Sequence, residues 1–396
     1  MLQAKTEYGK IVTLASLTRR EIAFLKKETQ FFCPACRERV IARAGPKTVP
    51  HFAHNAKSHC PSQEGGEGAY HEKGKLLLYR WLQSQQLDVQ LETFLPAIGQ
   101  RPDILLKLHG KTIAIEYQCA RIPPEQIIRR NQGYHSQGIV PIWILGANRF
   151  NRRNRNQVRI DQFQLHFMHQ FSSDFPLTLY YFCPETLRFI LFQDFYFTTA
   201  QQATGKLFIK KLTDMIMTDL FQRSWFNQQQ LCQIWKQEKR SFRLRSSGHV
   251  YGRELAWQQW LYVNRTHRET LPSMVYLPVA SQYRMNTPPW DWQSRLCLEV
   301  IAPLTNGETF SLQRCMHVLR SHLRNPRLFP LVKSFANPVY QYLYLLERMQ
   351  VIREVSPKAF AKQTAIPSYQ HLEAALNGDN ELMNQLIKQN IGMNHL

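Results

Sequence analysis

Residues 91–118, LETFLPAIGQRPDILLKLHGKTIAIEYQ, constrain this chain more than any other stretch. A Pro-Asp pair, Pro102-Asp103, opens one strand, a turn follows at His109-Gly110-Lys111, and the returning strand Thr112–Gln118 ends in an acid, a spacer and an amide. A hairpin of this form lets Asp103 and Glu116 face each other on adjacent strand edges. Two carboxylates and a polar group held so closely form an oxygen cage, which suits a hard divalent cation such as Mg2+ and, through it, phosphate chemistry. The expectation is a metal-dependent nuclease.

The surroundings of the hairpin read as one α/β domain over about 70–150. Helical spacing runs through His71–Leu82, with Leu78, Trp81 and Leu82 on the apolar face and His71 and Lys75 together on another. The latter two are either solvated helix residues or lie near a phosphate. Asp88–Leu95 alternates as a strand, a helix is expected after Pro123-Pro124, and Ile139–Gly146 is an apolar run of the kind a buried parallel strand requires.

Upstream, Cys33-Pro34-Ala35-Cys36 is followed by the alternating strand Arg39–Arg43, a turn at Gly45-Pro46, then His51-Phe52-Ala53-His54 and Cys60. A C-x2-C knuckle with returning His and Cys is a zinc pattern, and so short a module has little core of its own, so the metal is expected to be structural. Five ligands compete for four positions. If His51–His54 is a strand, its two histidines point to opposite faces, favouring Cys33, Cys36, His54 and Cys60; if it turns, His51 could replace Cys60.

An excess of 50 Lys and Arg over 29 Asp and Glu gives a net charge of +21, which favours a polyanionic partner, nucleic acid above all. The cations are not gathered into one amphipathic helix, so a membrane surface is not the expected partner. No apolar run reaches the ~18 residues of a membrane span, and Met1-Leu2-Gln3-Ala4-Lys5 does not lead into an apolar targeting segment. A soluble, cytoplasmic protein is expected. The eight Cys residues, three of them within 33–60, point to a metal rather than a disulfide framework.

Taken together, C-P-A-C…H-F-A-H…C at 33–60, H-x3-K at 71–75, L-E at 91–92, P-D at 102–103, E-Y-Q-C at 116–119 and R-N-Q-G-Y-H-S-Q-G at 130–138 resemble the competence protein CoiA family within the PD-(D/E)XK nuclease superfamily. The resemblance covers roughly residues 31–147. It implies that Asp103, Glu116 and the backbone carbonyl of Tyr117 ligate Mg2+ or Mn2+, with Gln118 standing where many relatives carry lysine. An amide orients water and phosphate but carries no charge, so Lys75 or Lys111 could supply it. Glu92 adds a third carboxylate or is an ordinary strand residue. Arg130 and Tyr134, one helical turn apart, can reach one phosphate and resemble the helix motif that supports such sites. The implied function is a deoxyribonuclease acting on DNA intermediates of natural transformation and recombination. The alternative is an inactive nuclease fold that binds single-stranded or branched DNA and assists a recombinase.

The expected organisation is a zinc-binding β module over 1–63, a Gly-rich linker at 61–69, a PD-(D/E)XK nuclease-like domain over 64–150 and a basic, mainly helical region over 151–396. Arg149, Arg152, Arg153 and Arg155, in the basic segment 148–159 that closes the nuclease-like domain, and Arg240, Arg243 and Arg245 further on are the candidate DNA contacts. Residues 177–197 read as a core hairpin turning at Cys183–Thr186, and helices are expected at 208–222, 227–240, 254–263, 310–323 and 330–352, with a terminal helix and a fraying tail at Gln389-Asn390.

Overall fold

The computed structural model describes residues 1–45, 48–55, 60, 68–245, 248–333 and 336–389. Pro46 of the expected turn, residues 61–67 of the expected linker and Asn390 of the expected tail lie outside the described residues.

The N-terminal module is a five-stranded sheet in the order β2-β1-β3-β4-β5, built from β1 (Gln3–Thr6), β2 (Ile11–Thr13), β3 (Phe31–Phe32), β4 (Arg39–Arg43) and β5 (His51–His54). Helix α1 (Arg19–Glu28), absent from the sequence reading, starts at a capping box in which Thr18 and Glu21 satisfy each other's backbone amides. Only Ile22 of α1 is buried, so the helix carries too narrow an apolar stripe to stand out in the sequence.

The second unit is organised by a nine-stranded sheet, order β10-β11-β14-β13-β12-β9-β8-β7-β6. Its elements are α2 (Ala69–Gln83), β6 (Asp88–Leu91), β7 (Ile104–Leu108), β8 (Lys111–Gln118), α3 (Pro124–Ser136), β9 (Val140–Gly146), β10 (Asn151–Arg152), β11 (Gln157–Arg159), β12 (Thr178–Cys183), β13 (Arg188–Phe197) and β14 (Gln202–Lys211). The β7–β8 turn is a two-residue loop with His109 at φ 47 and Gly110 at φ 73, the left-handed pair whose twist matches a hairpin. Strands β8, β9 and β12 run parallel, and the connection from β8 to β9 passes through α3.

Alternation along the central strands separates two apolar faces. Ile104, Leu106, Ile113, Ile115 and Tyr117 pack with Leu78, Trp81 and Leu82 of α2, whereas Leu105 and Ala114 pack with Tyr134 of α3, and Trp143 and Leu145 with Ile127. The sheet is therefore sandwiched between helices. It also runs past the boundary expected at 150, because β12 pairs with β9 and adds β13, β14, β11 and β10 to the same ladder. The expected helix at 208–222 is instead the end of β14 followed by short 3-10 turns. Residues Leu212, Met215 and Leu220 do line an apolar face, but it is the α2 side of the sheet that they cover.

Beyond it, α4 (Gln228–Arg243), α5 (Gly252–Val263), α6 (Pro289–Arg295), α7 (Leu312–Val318), α8 (Pro338–Arg348) and α9 (Leu372–Lys388) enclose the largest apolar core. Strands β15 (Thr309–Ser311), β16 (Ile352–Ser356) and β17 (Ala359–Lys362) form a small sheet there that the sequence reading did not anticipate. The part is mostly helical, as expected, though α7 and α8 are shorter than the ranges expected for them.

Candidate active site and metal centre

Between β3 and β4 the chain folds into a knuckle closed by Cys33 N donating to Glu38 O at 2.8 Å and Arg37 N to Cys33 O at 3.0 Å, with Arg37 in the left-handed region at φ 63. Strand β5 returns alongside β4, with His54 opposite Val40, and Cys60 completes the group. The ligand atoms of Cys33, Cys36, His54 and Cys60 lie within 4.8 Å of one another. Cys33 Sγ and Cys60 Sγ are 3.8 Å apart and Cys36 Sγ is 3.3 Å from His54 Nε2. Tetrahedral sulfurs on zinc at ~2.3 Å stand about 3.8 Å apart, so the donor set can hold that ion. Burial pushes the Cys36 thiol up to about 12, with the neighbouring sulfurs adding to the shift, a penalty on the thiolate that a divalent cation offsets. His51 takes no part. Strand alternation turns it the other way, its Nδ1 2.9 Å from Val49 O and 3.4 Å from Glu72 Oε2.

The carboxylates expected to face each other do so. Ile104 is paired with Ile115, so the next step of the antiparallel ladder sets Asp103 opposite Glu116. Asp103 Oδ2 accepts the Tyr117 backbone N–H at 2.9 Å, and from α2 come His71 Nε2 at 3.5 Å from Oδ2 and Lys75 Nζ at 3.4 Å from Oδ1. Neither helix residue is solvated: Lys75 is fully buried and His71 is stacked on Tyr117. Gly74 lets α2 come this close, since a Cβ there would meet the Tyr117 ring at 2.1 Å. Burial alone would raise the Asp103 pKa, but Lys75 and His71 outweigh it and hold the carboxyl well below the usual range.

Glu116 is approached from the other face of the sheet. Arg130 and Tyr134 of α3 both donate to its Oε1, and Arg130 Nη2 also donates to Tyr134 Oη at 2.9 Å. Both are buried, so they support the carboxylate instead of reaching out to a phosphate. Burial pushes Glu116 up to about 7; Arg130 pulls against that shift and the facing Asp103 adds to it. Among the described residues no hydrogen bond engages Glu116 Oε2. Two hard carboxylates, one kept charged and one with an uncommitted oxygen, fit a divalent cation of the Mg2+ type.

Gln118 donates its amide to Ala120 O at 2.8 Å. Lys111 sits at the hairpin turn, paired with Leu108 at the far end of the ladder from Glu116, which leaves Lys75 as the lysine at the carboxylates. Glu92 is neither an exposed strand residue nor a free third carboxylate. It is buried just past β6, bonded to Lys75 Nζ at 2.6 Å and to the Leu2 and Gln3 amides at 2.7 and 3.2 Å.

Three family models cover most of the sequence: the N-terminal domain of competence protein CoiA at residues 14–63, its nuclease-like domain at 67–225 and its C-terminal domain at 231–376. The chain belongs to the competence protein CoiA family. Competence protein CoiA of Bacillus subtilis (strain 168) is 35% identical over 164 residues, a stretch that is 41% of this chain and 43% of that relative, less than half the relative's length. No solved structure matches. The nuclease-like match reaches to 225 and so takes in the whole nine-stranded sheet of this CoiA-family chain.

Of its expected DNA contacts, Arg152, Arg153, Arg155, Arg240 and Arg245 are exposed, whereas Arg149 donates to Cys119 O at 2.9 Å and lies over Phe163. Arg243 is a correction. It is buried and paired with Asp379, because it falls on the apolar face of α4 with Phe242 and Lys239 rather than on the face of Arg240. A groove of 480 Å3 is lined by Arg152, Arg155, Lys206 and the exposed ring of Phe208. Phe208 was missed because 208–222 was expected as helix, and Lys206 because it stands just before that range; their signal was the strand alternation Lys206, Phe208, Lys210. Glu72 was also missed, since nothing in the sequence says that the N-terminal module would pack on that helix face.

Proposed function

We propose that the chain is a Mg2+- or Mn2+-dependent deoxyribonuclease of the PD-(D/E)XK type that acts on DNA intermediates of natural transformation. The observation that carries this reading is the register that sets Asp103 against Glu116, with Lys75 3.4 Å from Asp103. Asp103, Glu116 and the Tyr117 carbonyl would hold the cation, which supplies Lewis acidity to the scissile phosphodiester and a lowered pKa to a bound water. Lys75 provides the fixed positive charge that Gln118 lacks, and Arg130 with Tyr134 fixes the rotamer of Glu116. A zinc ion in the Cys33, Cys36, His54 and Cys60 centre holds the N-terminal module together. The basic groove with Phe208 suits a single strand, pairing phosphate contacts with a stacking surface.

One observation favours the second reading, a nuclease fold that binds DNA without cleaving it for a partner recombinase: the Gln118 amide is turned to Ala120 O and offers no charge to the site. The two are separated by incubating the protein with single-stranded, duplex and branched DNA in Mn2+, beside Asp103→Ala and Glu116→Ala. Cleavage by the wild type that both variants abolish supports the nuclease. Salt-dependent binding with no cleavage of any substrate supports the binding protein, and undiminished cleavage by both variants removes the assigned site.

A further inference from the structure

Glu92 ties the N-terminal module to the candidate active site. Its backbone turns left-handed at φ 49, and its N–H donates to Asp103 O at 2.9 Å, so the residue is anchored beside the carboxylate pair. The residue is 3% exposed, and its side chain spends its two oxygens in different directions. Oε2 accepts from the Leu2 and Gln3 amides at the start of β1, and Oε1 takes the Lys75 ammonium at 2.6 Å, which in turn lies 3.4 Å from Asp103 Oδ1. Strand β1 pairs with β3, and β3 leads straight into the Cys33–Cys36 knuckle. A second tie runs in parallel, from His51 on β5 to Glu72, one turn before Lys75 on α2.

A fully buried ammonium keeps its place only while its counter-charges keep theirs. Glu92 can hold its rotamer because two amides from the other module saturate Oε2; freed of them, the carboxylate regains its rotamers and Lys75 its own. We propose that Glu92 is a positioning residue through which the metal-ordered N-terminal module sets the place of Lys75 beside Asp103, so that loss of the Cys3His metal loosens the active site in a second domain. The proposal rests on the nuclease reading for its effect on cleavage, but its positional part stands apart from that reading.

The test uses the full chain with its zinc content measured. Acylation of lysines by a small amine-reactive reagent is followed by peptide mass spectrometry in the purified protein, in protein stripped by a chelator, and in Glu92→Gln, with circular dichroism checking the fold. Lys75 is expected to stay unmodified in the purified protein while Lys107, 61% exposed, reacts. It is expected to react at least ~10-fold faster in the stripped protein and in Glu92→Gln, the latter with zinc content unchanged. In cleavage assays Glu92→Gln lowers kcat by ~10-fold or more with KM for DNA within ~2-fold, and adds nothing in a Lys75→Met background, as expected of residues acting as a unit. Continued protection of Lys75 in both altered proteins overturns the proposal, as do losses from the two substitutions that multiply. A wild type that cleaves nothing defeats the nuclease reading alone, and the acylation result then decides the positional claim.

Discussion

The Asp379 carboxylate takes both sides of the Arg243 guanidinium, Nε at 2.5 Å from Oδ2 and Nη2 at 2.8 Å from Oδ1. Lys239 Nζ lies 3.2 Å from the same Oδ1, and all three groups are buried, so this cluster binds α9 to α4 across 136 residues of sequence. Removing one partner of a buried pair strands the other's charge and costs ~3–5 kcal/mol. Asp379→Ala is therefore expected to lower the unfolding free energy by about that amount in urea titration, whereas Arg240→Ala, on the exposed face, changes it by less than ~0.5 kcal/mol. Equal effects would contradict the assignment of Arg243 to the core.

The exposed arginines at the β10–β11 hairpin are expected to act on DNA binding, not on stability. Each phosphate they neutralise contributes about 0.7 to the slope of log K against log salt for a single strand. Replacing Arg152, Arg153 and Arg155 by Ala should flatten that slope by up to ~2 and leave the melting temperature within ~2 °C. An unchanged slope in fluorescence anisotropy titrations would place the DNA elsewhere.

Lys75 and Lys111 were alternatives in the sequence and are separated by position in the fold. Lys75→Met is expected to reduce kcat by ~100-fold, the effect of deleting one fixed donor at a developing charge. Lys111→Ala, at the far end of the hairpin, should stay within ~2-fold of wild type in the same assay. The reverse pattern would move the active site to the turn.

Asp194, at the β13 bulge with φ 44, donates its backbone N–H to Leu177 O at 3.0 Å and accepts the Phe226 N–H on Oδ2 at 2.5 Å. Burial pushes its pKa up to about 7, with Phe226 and Lys206 pulling the other way. A folded pKa above the unfolded ~3.9 means that the folded state binds the proton more tightly. This group's contribution to stability is thus full below ~pH 4 and is lost as pH rises through about 7. Asp194→Asn keeps an acceptor for Phe226 and removes the slope, so its stability relative to wild type should rise by roughly 2–4 kcal/mol between pH 4 and 8. Parallel pH profiles in urea melts would rule this out.

The hairpin at the centre of the site was legible because its information is local. Alternation fixes which residues share a face, and a turn at His109-Gly110 fixes the register, so Asp103 against Glu116 follows from counting along the chain. The same holds for the metal centre. The strand alternative favoured Cys33, Cys36, His54 and Cys60 over a turn that would put His51 in place of Cys60, and His51–His54 is a strand. The extent of the sheet was not legible. Strands β10 to β14 join it through long-range pairing with β9, and an aromatic-rich hairpin does not announce which sheet it belongs to.

What the sequence by itself determined is therefore the set of chemical groups that short-range geometry brings together: the facing carboxylates, a Cys and His group with five candidates for four positions, and the apolar face of α2. Only the tertiary structure decided which groups distant in sequence become partners. Glu92 meets the Leu2 amide 90 residues away, and Arg243 meets Asp379 136 residues away. Such meetings depend on how whole elements pack, and burial then decides whether a charge is spent inside the fold or left for a ligand.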